Sequence, residues 1–176
     1  MPHLARKIIR SVWEPKPYVP EDDARADAGT GCLRTSDDTL SLWQCNATEV
    51  SEVVLALASS MRSVEGMHLV LLLEENLNAD GIASEPTPDD AKTPIEDLRS
   101  RHFNLVNLTM TQICLLAKRI ANKVRENSTD LYWFTSKNVL NFLCNAVVDG
   151  RLGLNKLEEN VRKEVEKELK KRKHLF

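Results

Sequence analysis

The sequence predicts an α/β chain of the α+β type: a small mixed sheet of about three to four strands packed by helices, with a predominantly helical C-terminal half. Three observations carry this. Residues 67–73, Met-His-Leu-Val-Leu-Leu-Leu, are apolar on both alternating sides except at His68, the pattern of a strand covered on both faces. Val106, Met110, Ile113, Ala117, Ile120 and Val124 recur at steps of three and four, widened by Leu105, Leu108, Leu116 and Ala121, so residues 105–124 read as one helix with a broad apolar face. Such a face belongs in a globular core and not in the narrower seam of a two-stranded coil. The length, 176 residues, suits one domain, since domains cluster at roughly 100 to 150 residues.

Taken in order, residues 4–13 contain Ile8, Ile9, Val12 and Trp13 and favour a first strand. Pro15, Pro17 and Pro20 end it, because proline cannot donate to a ladder. The Pro17 and Pro20 spacing matches PxxP, but so short a run reads as a surface connection. Thr35-Ser36-Asp37-Asp38 is turn-forming and leads into residues 40–45, an alternating second strand able to pair with the first, with residues 32–34 as a third short piece. Asn46 and Glu49 make a capping box for a helix carrying Val50, Val53, Val54, Leu57, Ala58 and Met61. The strand at 67–73 follows, and the order strand, helix, strand implies a right-handed parallel crossover.

Residues 78–92 hold Gly81, Pro86 and Pro88 without apolar periodicity and are expected to be a mobile acidic loop. Thr93-Pro94-Ile95-Glu96 then combines a cap residue, proline at the first helical position and an early acid, starting a helix that passes Leu98 and breaks near Phe103 and Asn104. After the long helix, residues 131–135 suggest a short strand. Ser136 caps a helix through Val148, stopped at Asp149-Gly150. The reading is a single α/β domain over residues 1–153, followed at 154–176 by a charged C-terminal helix that docks on the core or on a partner.

That last helix points outward most clearly. Leu154, Leu157, Val161, Val165 and Leu169 form a narrow stripe, and Glu158–Arg162, Glu159–Lys163, Glu166–Lys170 and Glu168–Arg172 are favourable i,i+4 pairs. Acids come early and bases late, as the helix dipole favours. The expected partner-binding residues are therefore Leu157, Val161, Val165 and Leu169 with the basic end Lys170, Lys171, Arg172 and Lys173. Charge is segregated elsewhere too: residues 74–97 carry eight acids against Lys92, and residues 150–176 nine bases against five acids. The overall net charge of −2 gives no global pull toward nucleic acid or membrane.

Catalytic signals are weak. His102 is the best placed of the histidines, near Glu96, Asp97 and Arg101, but Asp97 and His102 are five apart and do not share a helix face. His68 reads as a buried histidine, and His3 and His174 as solvated ones. No HExxH, phosphate-binding glycine loop or CxxC occurs; Cys32, Cys45, Cys114 and Cys144 are scattered and read as buried free thiols. The pairs Asp22-Asp23, Asp37-Asp38 and Asp89-Asp90 lie where aspartate suits turns, so no metal and no cofactor is assigned.

The function expected is that of a non-enzymatic accessory or adaptor subunit, cytoplasmic, acting by protein–protein interaction in a larger complex of bacterial style, or as a homo-oligomer. Loss of residues 154–176 is expected to abolish assembly and leave a folded core. The alternative is nucleic-acid binding through the basic C-terminal face, extended by Arg6, Lys7 and Arg10 or by Lys118, Arg119, Lys123 and Arg125, although no aromatic interleaving accompanies them. A third reading is a small enzyme whose site is assembled from His102, Asp97 and Thr35. No membrane association is expected, since no long apolar run is present.

Overall fold

A computed structural model describes residues 3–21 and 23–173, the side chain of Lys173 excepted. The elements are, in order, β1 (His3–Ile8), α1 (Arg10–Trp13), α2 (Ala26–Cys32), β2 (Leu40–Cys45), α3 (Val50–Ala58), β3 (Met67–Leu73), α4 (Glu74–Ala79), β4 (Ala83–Pro86), α5 (Glu96–Arg99), β5 (His102–Val106), α6 (Met110–Arg125), β6 (Leu131–Phe134), α7 (Ser136–Val148) and α8 (Glu159–Lys173). Six strands form one sheet in the order β4-β5-β2-β1-β3-β6, every neighbouring pair antiparallel. The expected three to four strands are thus too few, and β4 and β5 are the additions.

Both additions were hidden by their neighbours. In β5, Phe103 and Leu105 point to one face and His102 and Asn104 to the other, a two-residue period that five residues show only once. Because Leu105 and Val106 also fit the stripe of the following helix, the sequence reads them as its start; the chain instead turns at Asn107, which takes a positive φ of 54°. α6 begins only at Met110, where Thr109 and Gln112 exchange capping hydrogen bonds. The acidic segment 78–92 is ordered secondary structure in place of the expected loop. Gly81 turns the chain at φ 70°, Ala83–Pro86 pairs with β5, and Pro88–Asp90 forms a 3-10 turn. Its order comes from the sheet edge and from buried Ala91 and Thr93, contacts that a local pattern does not encode.

β1 lies between β2 and β3 and is antiparallel to both, so β2 and β3 run in the same direction without pairing. The expected crossover therefore spans an inserted strand. Residues 10–13, placed by the sequence in the first strand, form α1, and residues 32–34 close α2 and follow it. The capping box at Asn46 and Glu49 is present, leading through a 3-10 turn into α3. At α7 the cap is Thr135, one residue before the Ser136 expected.

Helices cover both faces. On one side Ala5, Trp43, Cys45, Met67, Leu69 and Leu71 of the sheet meet α3, α5, α7 and α8; on the other Leu4, Ile8, Leu40, Leu42, Val70, Leu72 and Leu105 meet α1, α2, α4 and α6. α8 is part of the first layer: Val161 and Val165 are fully buried, Leu157 is nearly so, and Leu169 packs beside them. Each such side chain contributes about 1.5–3 kcal/mol of burial. α8 thus shares one hydrophobic core with the first sheet face. Arg151 fastens the turn before α8, reaching Glu52 of α3 and Asp97 of α5, each at 2.7 Å.

Candidate functional site

α2 and the first half of α6 stand apart over the second sheet face. α2 has the sequence Ala-Asp-Ala-Gly-Thr-Gly-Cys; Ala28 and Cys32 pack inward, while Ala26, Gly29 and Thr30 line a gap, and none of these is large enough to fill it. A Cβ added at Gly29 would meet nothing within 4 Å. Opposite it, Met110, Ile113, Cys114 and Ala117 recur at i, i+3, i+4 and i+7 along one face of α6. Leu33 joins them, and the result is an open, mainly apolar cleft of about 650 Å³. That volume falls in the roughly 300–1,000 Å³ range of ligand sites.

Both ends are held. Arg125 reaches across from α6 to the carbonyls of Pro20 and Asp23, and Leu108 N–H donates to the Asp38 carbonyl at 3.0 Å. Asp37 and Asp38 take positive φ values of 51° and 55° in the turn between Ser36 and Thr39, which returns the chain to β2. The rim is polar. Arg25 donates to the Ser11 carbonyl at 3.0 Å and pairs with Asp27 at 3.3 Å, and its Nε is buried with no partner among the described residues. Arg34 is exposed at the opposite lip, beside Thr35. Asp23 Oδ1 accepts from the N–H of Ala24.

The stripe of α6 thus has two fates. Leu116, Ala117, Ile120, Ala121 and Val124 are buried, whereas Met110 is 76% exposed and Cys114 is open to solvent. Cys32, Cys45 and Cys144 are buried thiols, and burial pushes Cys45 up to about 11 and Cys144 upward as well. The periodicity of residues 110–117 was visible in the sequence. What it could not reveal is that its N-terminal half lacks a cover, because the missing wall belongs to α2, some eighty residues earlier in the chain.

The other candidate residues do not converge. The partner-facing stripe Leu157, Val161, Val165 and Leu169 packs on the chain's own core, so a partner taking it would have to displace α8. At the basic end Lys170 is exposed, Lys171 and Arg172 pair with Glu168 at 3.6 and 3.7 Å, and Arg172 also donates to Asn141 and Asn145. The side chain of Lys173 lies outside the described residues, as do Asp22 and His174. Most of the bases named to extend this patch are engaged or on the opposite layer: Arg119 binds Asp80, Lys123 binds Asp130, Arg10 pairs with Glu14, and Arg6 donates to the carbonyls of Cys32 and Ser41, while Lys7 is on the same side of β1 as Ala5.

His102 is buried, edge-on to Trp43 with ring centroids 5.0 Å apart, and its Nδ1 lies 2.9 Å from both the carbonyl and the hydroxyl oxygen of Thr87. Burial depresses its pKa, against the pull of the Thr87 hydrogen bond and of Asp90. It faces the first core, Thr35 lines the cleft on the other side of the sheet, and Asp97 is bound to Arg151; these three form no shared site. Among the described residues no three metal-ligating side chains come together, and no helix is long and apolar enough to cross a membrane. Comparison with protein-family models, curated proteins and solved structures finds no match to this chain.

Proposed function

We propose that the chain is a non-enzymatic accessory or adaptor subunit that holds a protein partner in the cleft between α2 and α6. The observation that supports this reading is the uncovered beginning of the α6 stripe: an apolar row at helical spacing, continuous with the core, faces small residues across open space. A helix or turn of a partner, presenting a few apolar side chains at matching spacing, would complete the layer as ordinary helix-in-groove recognition does. Exposed Arg34 on the rim favours an acidic residue beside those anchors, and attraction of this kind raises association rate and sets register. This moves the contact surface from the C-terminal helix, whose stripe is occupied within the molecule, to the opposite layer.

The test uses two variants chosen to spare the fold. Gly29→Leu projects into the gap where an added Cβ meets nothing, and Arg34→Glu reverses an exposed charge. A partner recovered at low salt with the wild-type protein is expected to be lost with Gly29→Leu, weakened by Arg34→Glu, and to shield Cys114 from a thiol reagent. Equal recovery by all three proteins, with Cys114 equally reactive in the complex, would sink the reading.

A further inference from the structure

The two ends of the sheet differ. β4 is Ala-Ser-Glu-Pro, and its Glu85 and Pro86 are devices that discourage a further strand. β6 is Leu-Tyr-Trp-Phe, and no residue from 131 to 136 is charged or proline. Its Trp133 is 64% exposed and stacks on His68 of β3 with centroids 6.0 Å apart and planes 12° from parallel.

Ladder geometry shows which backbone groups are left over. Leu71 N–H donates to the Asp130 carbonyl at 2.9 Å, so in the alternation of an antiparallel pair Leu69 with Tyr132 and Met67 with Phe134 are the hydrogen-bonded partners. His68 and Trp133 form the non-bonded pair between them, which brings their rings together and turns the Trp133 N–H and C=O to the open edge. Among the described residues no other backbone group reaches either atom.

We propose that a second copy of this chain occupies that edge, β6 pairing antiparallel with its equivalent about a two-fold axis through Trp133. Self-pairing is favoured over a foreign strand by the sequence itself. With Trp133 opposite its symmetry mate, the N–H and C=O of each satisfy the other, and Tyr132 falls opposite Phe134 on both sides, so every central cross-strand pair is aromatic. No like charges oppose each other within residues 131–136. A strand of four residues is only about 13 Å long, at roughly 3.3 Å per residue, so the contact falls below the ~1,200 Å² of a standard interface. The dimer is therefore weak and concentration-dependent, joining two six-stranded sheets while leaving both clefts open.

Sedimentation of the full chain from micromolar to millimolar concentration tests this. Wild type is expected to pass from monomer to dimer. Trp133→Lys, which sets two charges opposite each other and removes the aromatic pair, should weaken the dimer by about tenfold or more. Trp133→Pro removes the indole and the outward N–H but no ladder hydrogen bond to β3, so it should stay folded by circular dichroism and remain monomeric. Met110→Lys, in the cleft, should dimerise as wild type does. A wild-type monomer at every concentration overturns the proposal, and so does a dimer that survives in whichever Trp133 variant folds. A monomer whose edge takes up an added extended peptide also overturns it, since the occupant would then be foreign.

Discussion

Helices α6 and α8 carry apolar residues at the same spacing of three and four, yet one stripe is sealed and the other is half open. On α8, Val161 and Val165 disappear beneath the first sheet face, as does Leu157 just before the helix, although the charged sequence around them points to a partner. On α6, which reads as the most firmly internal helix, Met110 and Cys114 are left in solvent because α2 opposite them is built from alanine, glycine and threonine. Periodicity tells which side of a helix is apolar. Whether that side is covered depends on the size of the residues that face it, and those belong to other elements.

This difference is open to direct attack. Placing an aspartate at Val165 buries a charge without a counter-ion, and should unfold the protein or destabilise it by more than about 4 kcal/mol in denaturant titration. The same residue at Met110 is expected to change stability by no more than about 0.5 kcal/mol, since the site is exposed and lies at the start of a helix, where a negative charge suits the dipole. Equal losses at the two positions would mean that the cleft is closed in solution.

A smaller effect separates cleft from core in the opposite direction. Gly29→Leu replaces a poor helix former where nothing obstructs the side chain, so it should raise the unfolding free energy by about 0.5–1 kcal/mol even as it blocks the cleft. A loss of stability would show that the gap is narrower than described.

The smallest effect tests the sealed layer by pH. His102 binds a proton less readily folded than unfolded, because burial outweighs the favourable Thr87 and Asp90 contributions. Acid therefore favours the unfolded chain. The stability associated with neutral His102 is complete above its ordinary value of about 6.5 and declines as pH falls through the lower folded value. His68, also depressed by burial, acts in the same direction. His102→Asn should flatten part of this slope in denaturant melts between about pH 6.5 and 5. An unchanged slope would remove His102 from the account.

Strong local signals were legible: β2 and β3 fall where alternation and an apolar run put them, and α3 and α7 follow their caps. The failures share a cause. β4 has no apolar rhythm of its own and exists because β5 offers it a hydrogen-bonding edge, while β5 is too short to display a period and was absorbed into α6. The sequence assigns the cleft residues Met110, Ile113 and Ala117 to the core, and points to Thr35 only as part of a site with His102 and Asp97 that the fold does not assemble. The role of Gly29 could not be foreseen, because an empty space leaves no mark on the residues that border it.

The central position of β1 has a consequence for how the molecule is made. Residues 3–8 are synthesised before their hydrogen-bonding partners, residues 43–45 on one side and 68–73 on the other. Leu4 and Ala5, which end fully buried, wait about forty residues of synthesis for the first neighbouring strand and about seventy for the second. Until then at least one edge of β1 is unpaired and open to non-native strand pairing.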